Sequence, residues 1–198
     1  TLGEMTELSK SARSALEETY EIGLEAPVRE TTSTDGTKKY LYHVVLRGSS
    51  NGAGTKRYVE TAFIPEKDRA TLCVSTQVGC KMGCLFCMTG KQGFQGQLTA
   101  GEILNQFESL PEREKVTNLV YMGMGEPFDN LDSVLGSLEV LTSDWGYAMS
   151  SSRITVSTIG IIPGLRRFLE ESSAHLAVSL HSPFDEERRR LMPIQHVY

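Results

Sequence analysis

The sequence predicts an α/β protein, with a parallel sheet and crossover helices preceded by a β-hairpin and an N-terminal helix. Two observations carry this. From residue 72 onward, short apolar runs alternate with amphipathic stretches, and strands alternating with helices pair in parallel. Every unusual motif of that region falls just after one of these runs, where ligands bind in parallel α/β sheets.

The elements follow in order. Residues 5–22 read as a helix, with Leu8, Ala12, Ala15, Leu16 and Thr19 near one face and Glu17, Glu18 and Glu21 on the other. Thr31 to Lys39 is polar, and Asp35-Gly36 marks a turn. Tyr40–Arg47 and Arg57–Ile64 alternate as strands, joined through Gly48 to Gly54, which makes a hairpin with a long loop. Leu72–Val78 is the next strand. Thr99–Leu110 is a helix with a capping box at Thr99 and Glu102. Asn118–Met122 is a buried strand ending in Gly123-Met124-Gly125-Glu126-Pro127, and Leu131–Leu141 is a helix. Ile154–Ser157 and Leu176–Leu180 are strands, each followed by a helix, Leu165–Glu171 and then Asp185–Leu191. About four β–α units are thus expected.

Composition fits a soluble globular chain, with 39% hydrophobic and 23% charged residues. No apolar run reaches the length of a membrane span, and nothing at the start reads as an export signal. The four cysteines are crowded into residues 73–87, which suits metal-ligating thiols in a reducing cytoplasm better than disulfides. A net charge of -5 argues against a generally basic nucleic-acid coat. Local basic groups remain: Lys38, Lys39, Arg47, Lys56 and Arg57 in one region, with Lys81, Lys91, Arg166 and Arg167 elsewhere. Arg188 to Arg190 read as solvated surface charge. Met82, Met88, Met122 and Met124 read as packing.

The centre of the chain is Cys80, Cys84 and Cys87, spaced C-x-x-x-C-x-x-C. Thiolates select soft metal centres. A structural zinc site commonly uses two separated ligand pairs; no second C-x-x-C follows, and neither His175 nor His181 has a partner at ligand spacing. Three thiolates on an iron–sulfur cluster would leave one iron open to a substrate or cofactor. The spacing, with Phe86 just before the last cysteine, resembles the radical S-adenosylmethionine (SAM) motif. The flanks, Cys73-Val74-Ser75-Thr76-Gln77-Val78-Gly79-Cys80 and Gly90-Lys91-Gln92-Gly93-Phe94, resemble the dual-specificity rRNA/tRNA adenine-C2 methyltransferases of the RlmN family.

The resemblance implies a partial (β/α)6 radical SAM barrel, with residues 1–30 as the end of a helical accessory domain, 31–71 as a hairpin extension and 72–198 as an incomplete core. It implies a [4Fe-4S] cluster on Cys80, Cys84 and Cys87, with SAM as the second cofactor. Gly125 and Glu126 match the segment that binds the amino group of SAM, through a carboxylate or a nearby carbonyl edge. Ser157, Ser179, Leu180 and His181 match its other contacts. From residues alone, Cys73 is a buried strand cysteine and Glu60 a solvent-facing carboxylate. By resemblance, Cys73 is a second catalytic thiol and Glu60 faces the target base.

The chemistry asks for such a site. Adenine C2 lies between two ring nitrogens and is too electron-poor to attack a methyl electrophile, so a radical route is needed. The resemblance implies that a C-terminal cysteine, beyond this chain, is first methylated and its methylene then added to C2. Cys73 would help release the adduct, with Glu60 as proton acceptor or base-positioning group. Expected partners are 23S rRNA, tRNA and a one-electron donor protein, with no membrane. Three rival readings stand beside this: the sister enzymes that methylate adenine C8, a non-catalytic zinc module on Cys73, Cys80, Cys84 and Cys87, and a radical SAM enzyme acting on a small molecule.

Overall fold

A computed structural model describes residues 2–20, 23–46 and 55–197. The expected hairpin loop from Gly48 to Gly54 lies outside the described residues, as do Arg47 and the last two residues of the expected first helix.

After a 3-10 turn at Leu2–Glu4, helix α1 runs Lys10–Thr19, started by Ser9, whose hydroxyl accepts from the Ala12 N–H at 3.2 Å. Three antiparallel strands follow: β1 (Arg29–Thr32), β2 (Lys38–Leu46) and β3 (Thr55–Pro65). Strand β4 (Ala70–Cys73) pairs antiparallel with β3. Two short strands, β5 (Gln77–Val78) and β6 (Gly96–Gln97), form a separate ribbon. The short helix α2 (Met88–Gln92) lies between them. Helix α3 (Ala100–Glu108), strand β7 (Asn118–Tyr121), helix α4 (Leu131–Thr142), strand β8 (Ile154–Thr158), helix α5 (Ile162–Glu171), strand β9 (His175–Val178) and helix α6 (Asp185–Leu191) complete the order. Strands β4, β7, β8 and β9 are mutually parallel, so the four expected β–α units are present. One seven-stranded sheet, β1-β2-β3-β4-β7-β8-β9, carries both halves.

Three departures from the sequence reading have physical causes. Strand β1 lies in a stretch without apolar alternation; all four of its residues are exposed, and it forms the edge of the sheet. The expected strand 72–78 breaks after Cys73. Beyond Val74, the Thr76 and Gln77 N–H groups both donate to the Met124 carbonyl, at 2.8 and 3.2 Å, which draws the chain off the ladder. Helix α5 starts three residues early because Pro163 suits a first turn. The capping box at Thr99 and Glu102 is formed on both sides.

Alternation decides what each face of the sheet offers. Thr61 donates to Gln106 of α3 at 2.6 Å, so Val59, Thr61 and Phe63 turn toward the helices. Tyr40, Tyr42, Leu72, Leu119, Ile154 and Val156 complete that core face, each at most 1% exposed. The intervening residues Glu60 and Ala62 turn the other way. Cys73 stands opposite Ala62, Val120 beside Cys73 and Thr155 beside Val120, and all are half-buried.

Candidate active site

The carboxyl ends of β7, β8 and β9 surround a cavity of about 310 Å³. Cys80, Cys84 and Cys87 line it together with Gly125, Glu126, Ser157, Ser179 and His181. Sequence-distant candidates therefore meet in one place. Larger hollows of about 490, 510 and 520 Å³ open elsewhere and hold no cysteine. Chemistry, not size, distinguishes the site.

Local geometry holds the cysteine loop. The β5–β6 ribbon closes its base, with the Gln95 N–H donating to the Val78 carbonyl at 2.8 Å. Gly79 has φ +71 and packs on the Gly93 carbonyl, where a Cβ would fall 1.8 Å from the oxygen. Cys87 is the N-cap of α2, and its N–H donates back to the Cys84 carbonyl at 3.0 Å. The Leu85 N–H donates to the Leu191 carbonyl at 2.9 Å, which ties the loop to the end of α6.

All four thiols are free. Burial pushes the Cys80 thiol up to about 11 and raises Cys84 as well. Among the described residues, no three His, Cys, Asp or Glu side chains are gathered tightly enough for a single metal ion. An iron–sulfur cluster asks for something else: its thiolates bind separate irons. Three unpaired thiols around one cavity, all soft donors, fit that group with one iron left for another ligand.

The Gly123–Pro127 turn is built for close approach. Gly125 has φ +102, and a Cβ there would lie 2.6 Å from the Gln77 Cβ. Glu126 is 3% exposed. One of its carboxylate oxygens accepts from Thr158 Oγ1 at 2.6 Å and from the Phe128 N–H at 3.0 Å; the other accepts from the Ile159 N–H at 3.0 Å. Burial pushes its pKa above the ordinary carboxylate value, against the pull of these donors. Ser157 and Ser179 hydroxyls lie 3.2 Å apart across β8 and β9. His181, at φ +58, rests against the Phe86 ring with centroids 4.4 Å apart.

Three candidates stand outside this cavity lining. Leu180 is 55% exposed, and its carbonyl accepts from Arg188 Nε at 3.2 Å. Cys73 and Glu60 lie on the sheet face turned away from α3. Burial raises the Cys73 thiol to about 11, partly offset by the Met122 N–H. Glu60 is half-exposed and pairs with Lys39 at 3.3 Å, a contact worth little in water. Glu60 and Ala62 are about 7 Å apart along β3, so Cys73, opposite Ala62, is a near neighbour of the carboxylate.

Some residues carry more than the sequence reading assigned. Arg188 is not solvated surface charge: it donates to the Ile159 carbonyl at 2.7 Å and to Gln195 at 3.0 Å, joining the ends of β8 and β9 to α6. Arg189 pairs with Asp185 at 2.6 Å. Met82 is packed, at 2% exposed, but Met88 and Met122 stand 68% and 47% exposed at the mouth of the loop and turn. Gln77, Asp129 and Thr158 carry no local signal in the sequence, because their partners are distant along the chain and only the Gly-Glu-Pro turn points to them.

A parallel α/β core with three free thiols and a glycine-rich turn at its strand ends defines a class. A family model described as Radical SAM superfamily matches residues 74–197, and the chain belongs to that superfamily. Its relatives are narrower in kind. It is 57% identical over 198 residues to a protein of Phocaeicola vulgatus named "Probable dual-specificity RNA methyltransferase RlmN", covering 100% of this chain and 54% of that one. A protein of the same name from Porphyromonas gingivalis is 60% identical over 190 residues, covering 96% of this chain and 53% of the relative. The crystal structure of a radical SAM methyltransferase from Sphaerobacter thermophilus superposes with a TM-score of 0.86 at 37% identity, covering 100% of this chain and 57% of that chain. The chain thus spans about half the length of the curated relatives it matches.

Proposed function

We propose that this chain carries the cluster and cofactor site of a radical SAM RNA methyltransferase acting on C2 of adenine in 23S rRNA and tRNA, through a methylated-cysteine intermediate. The observation that carries the reading is the convergence of Cys80, Cys84, Cys87, Gly125, Glu126, Ser157, Ser179 and His181 on one cavity. The whole-length likeness to relatives named RNA methyltransferases supports the choice of substrate class.

Cys80, Cys84 and Cys87 would hold a [4Fe-4S] cluster. Bound there, such a cluster would supply one-electron reduction of SAM. The residues around it bind and orient. Both carboxylate oxygens of Glu126 are already engaged by Thr158, Phe128 and Ile159, so its role is to shape the turn. Carbonyl groups of the turn then remain to accept from the amino group of SAM. Ser157, Ser179 and His181 offer polar contacts to the rest of the cofactor, and Leu180, whose carbonyl already accepts from Arg188 and the Ser182 N–H, would act through its N–H or its side chain. Glu60 and Cys73 share a face on which an unstacked adenine would sit, Glu60 to position the base or accept its proton and Cys73 to release the adduct. A one-electron donor protein and a cytoplasmic setting belong to this reading.

Cys73 lies outside the lining shared by the other three cysteines, which disfavours a four-cysteine zinc module. The test is iron, sulfide and zinc content after anaerobic reconstitution, with electron paramagnetic resonance with and without SAM. About four irons and four sulfides per chain, with a spectrum shifted by SAM, are expected. Zinc without sulfide, or a cluster indifferent to SAM, would overturn the reading. Mapping the methyl group on rRNA treated with the intact enzyme separates C2 from C8.

A further inference from the structure

The stretch between Cys73 and Cys80 has no part in the reaction above, yet Gln77 within it is 0% exposed and fully bonded. Its Oε1 accepts from the Glu126 N–H at 2.8 Å. Its Nε2 donates to an Asp129 carboxylate oxygen at 2.8 Å and to Gln97 Oε1 at 2.8 Å. Gln97 donates in turn to the Asp129 carbonyl at 2.8 Å. The other Asp129 carboxylate oxygen lies 2.6 Å from Nζ of Lys81, the residue that follows Cys80. One carboxylate, with its side chain 11% exposed, therefore ties the cysteine loop, the ribbon beneath it and the Gly123–Pro127 turn together.

We propose that Gln77 and Asp129 are positioning residues that set the SAM-binding turn against the cluster loop. The inference rests on the proposed function of the site. SAM must meet two partners at once, an iron held by the loop and acceptors on the turn. These belong to separate segments, and a small shift between them removes one contact while the other persists. Direct backbone bonds between the segments exist, at Thr76 and Gln77 to the Met124 carbonyl. The side-chain clamp adds the charged member, whose bonds are stronger where water is excluded. Neither residue needs to touch SAM or iron.

The donor and acceptor pattern gives the test. Gln77→Glu places a carboxylate against Asp129. Asp129→Asn sets an amide donor against either Gln77 or Lys81. Together the two changes restore the line from Glu126 to Lys81: the new carboxylate accepts from the Glu126 N–H and from the new amide, whose oxygen accepts from Lys81, while Gln97 must turn to donate to the new carboxylate and so gives up its bond to the backbone carbonyl of residue 129. Each variant of the 198-residue chain is reconstituted anaerobically, its iron is counted, and SAM is titrated by electron paramagnetic resonance. Each single variant is expected to keep wild-type iron while SAM affinity falls about tenfold. The double variant is expected to regain about threefold of that loss, the missing Gln97 bond accounting for the remainder. Single variants that bind SAM as wild type overturn the proposal. Iron lost in step with SAM, without recovery in the double variant, also overturns it by reducing the clamp to a folding element. A wild-type cluster that ignores SAM overturns the proposed function and this inference together; a responsive wild type with unaltered variants overturns the clamp alone.

Discussion

Cys73 shows how one residue's surroundings set its chemistry. Burial holds its thiol near 11, so at pH 8 only about one molecule in a thousand carries the thiolate. Alkylation of Cys73 by iodoacetamide, followed by peptide mass spectrometry, is expected to accelerate about tenfold per pH unit from 7 to 10. The folded chain holds this proton more tightly than the unfolded chain, so its contribution to stability is complete below the unfolded value of 9.0 and is lost as pH climbs toward 11. Labelling at pH 7.5 as fast as a free peptide thiol would refute the burial account. Cys73→Ala should keep its iron, because the thiol stands outside the lining the other cysteines share. At this scale the sequence was informative where spacing is local: Cys80, Cys84 and Cys87, and the turn at Gly125 and Glu126. It was silent on Gln77, whose acceptor contact lies 49 residues away, and on Arg188, whose shortest contact lies 29 residues away. A side chain's partner across such a distance leaves no mark on its neighbours in the chain.

Among the elements, the cysteine loop is the most demanding piece of backbone. Gly79 and Gly83 both have positive φ, at +71 and +65, but their surroundings differ. A Cβ on Gly83 meets nothing within 4 Å, so Gly83→Ala costs only the left-handed conformation, about 1 kcal/mol. A Cβ on Gly79 would collide with the Gly93 carbonyl at 1.8 Å, a backbone group that cannot turn aside. Gly79→Ala should therefore part the β5–β6 ribbon and cut the iron retained after reconstitution several-fold, while Gly83→Ala retains it. Equal retention in the two variants, measured as iron per folded chain, would show that the ribbon does not hold the loop. The helices and parallel strands were legible because their apolar residues repeat with the right period, and the capping box named the start of α3 outright. Strand β1 and the break after Cys73 were not. The first has no buried face to pattern it, and the second depends on Met124, a partner the local sequence does not show.

Across the whole molecule, one seven-stranded sheet carries the antiparallel strands β1 to β3 into the parallel core through β4. The buried cluster is likewise continuous, from Tyr40 on β2 to Met192 beyond α6. The N-terminal part behaves differently. From Glu25 the chain is locked to α3: its N–H donates to Asn105 Oδ1 at 2.9 Å, and Asn105 Nδ2 donates back to its carbonyl at 2.9 Å. Before that point every described residue is exposed or half-buried, and Arg13 of α1 donates to the Gly3 carbonyl of the preceding turn at 2.5 Å. The amphipathic face seen in the sequence, Leu8, Ala12 and Leu16, is only half-covered. Removing residues 1–22 should therefore sacrifice little apolar burial, on the order of 1 kcal/mol, and lower the thermal midpoint by less than about 4 °C. Helical ellipticity should fall in the same truncated chain, since α1 contributes ten residues of helix. A much larger drop in the midpoint would mean that α1 docks on the core and that the sheet depends on it. The small drop, with SAM-dependent spectra unchanged, would place everything the site requires after residue 22.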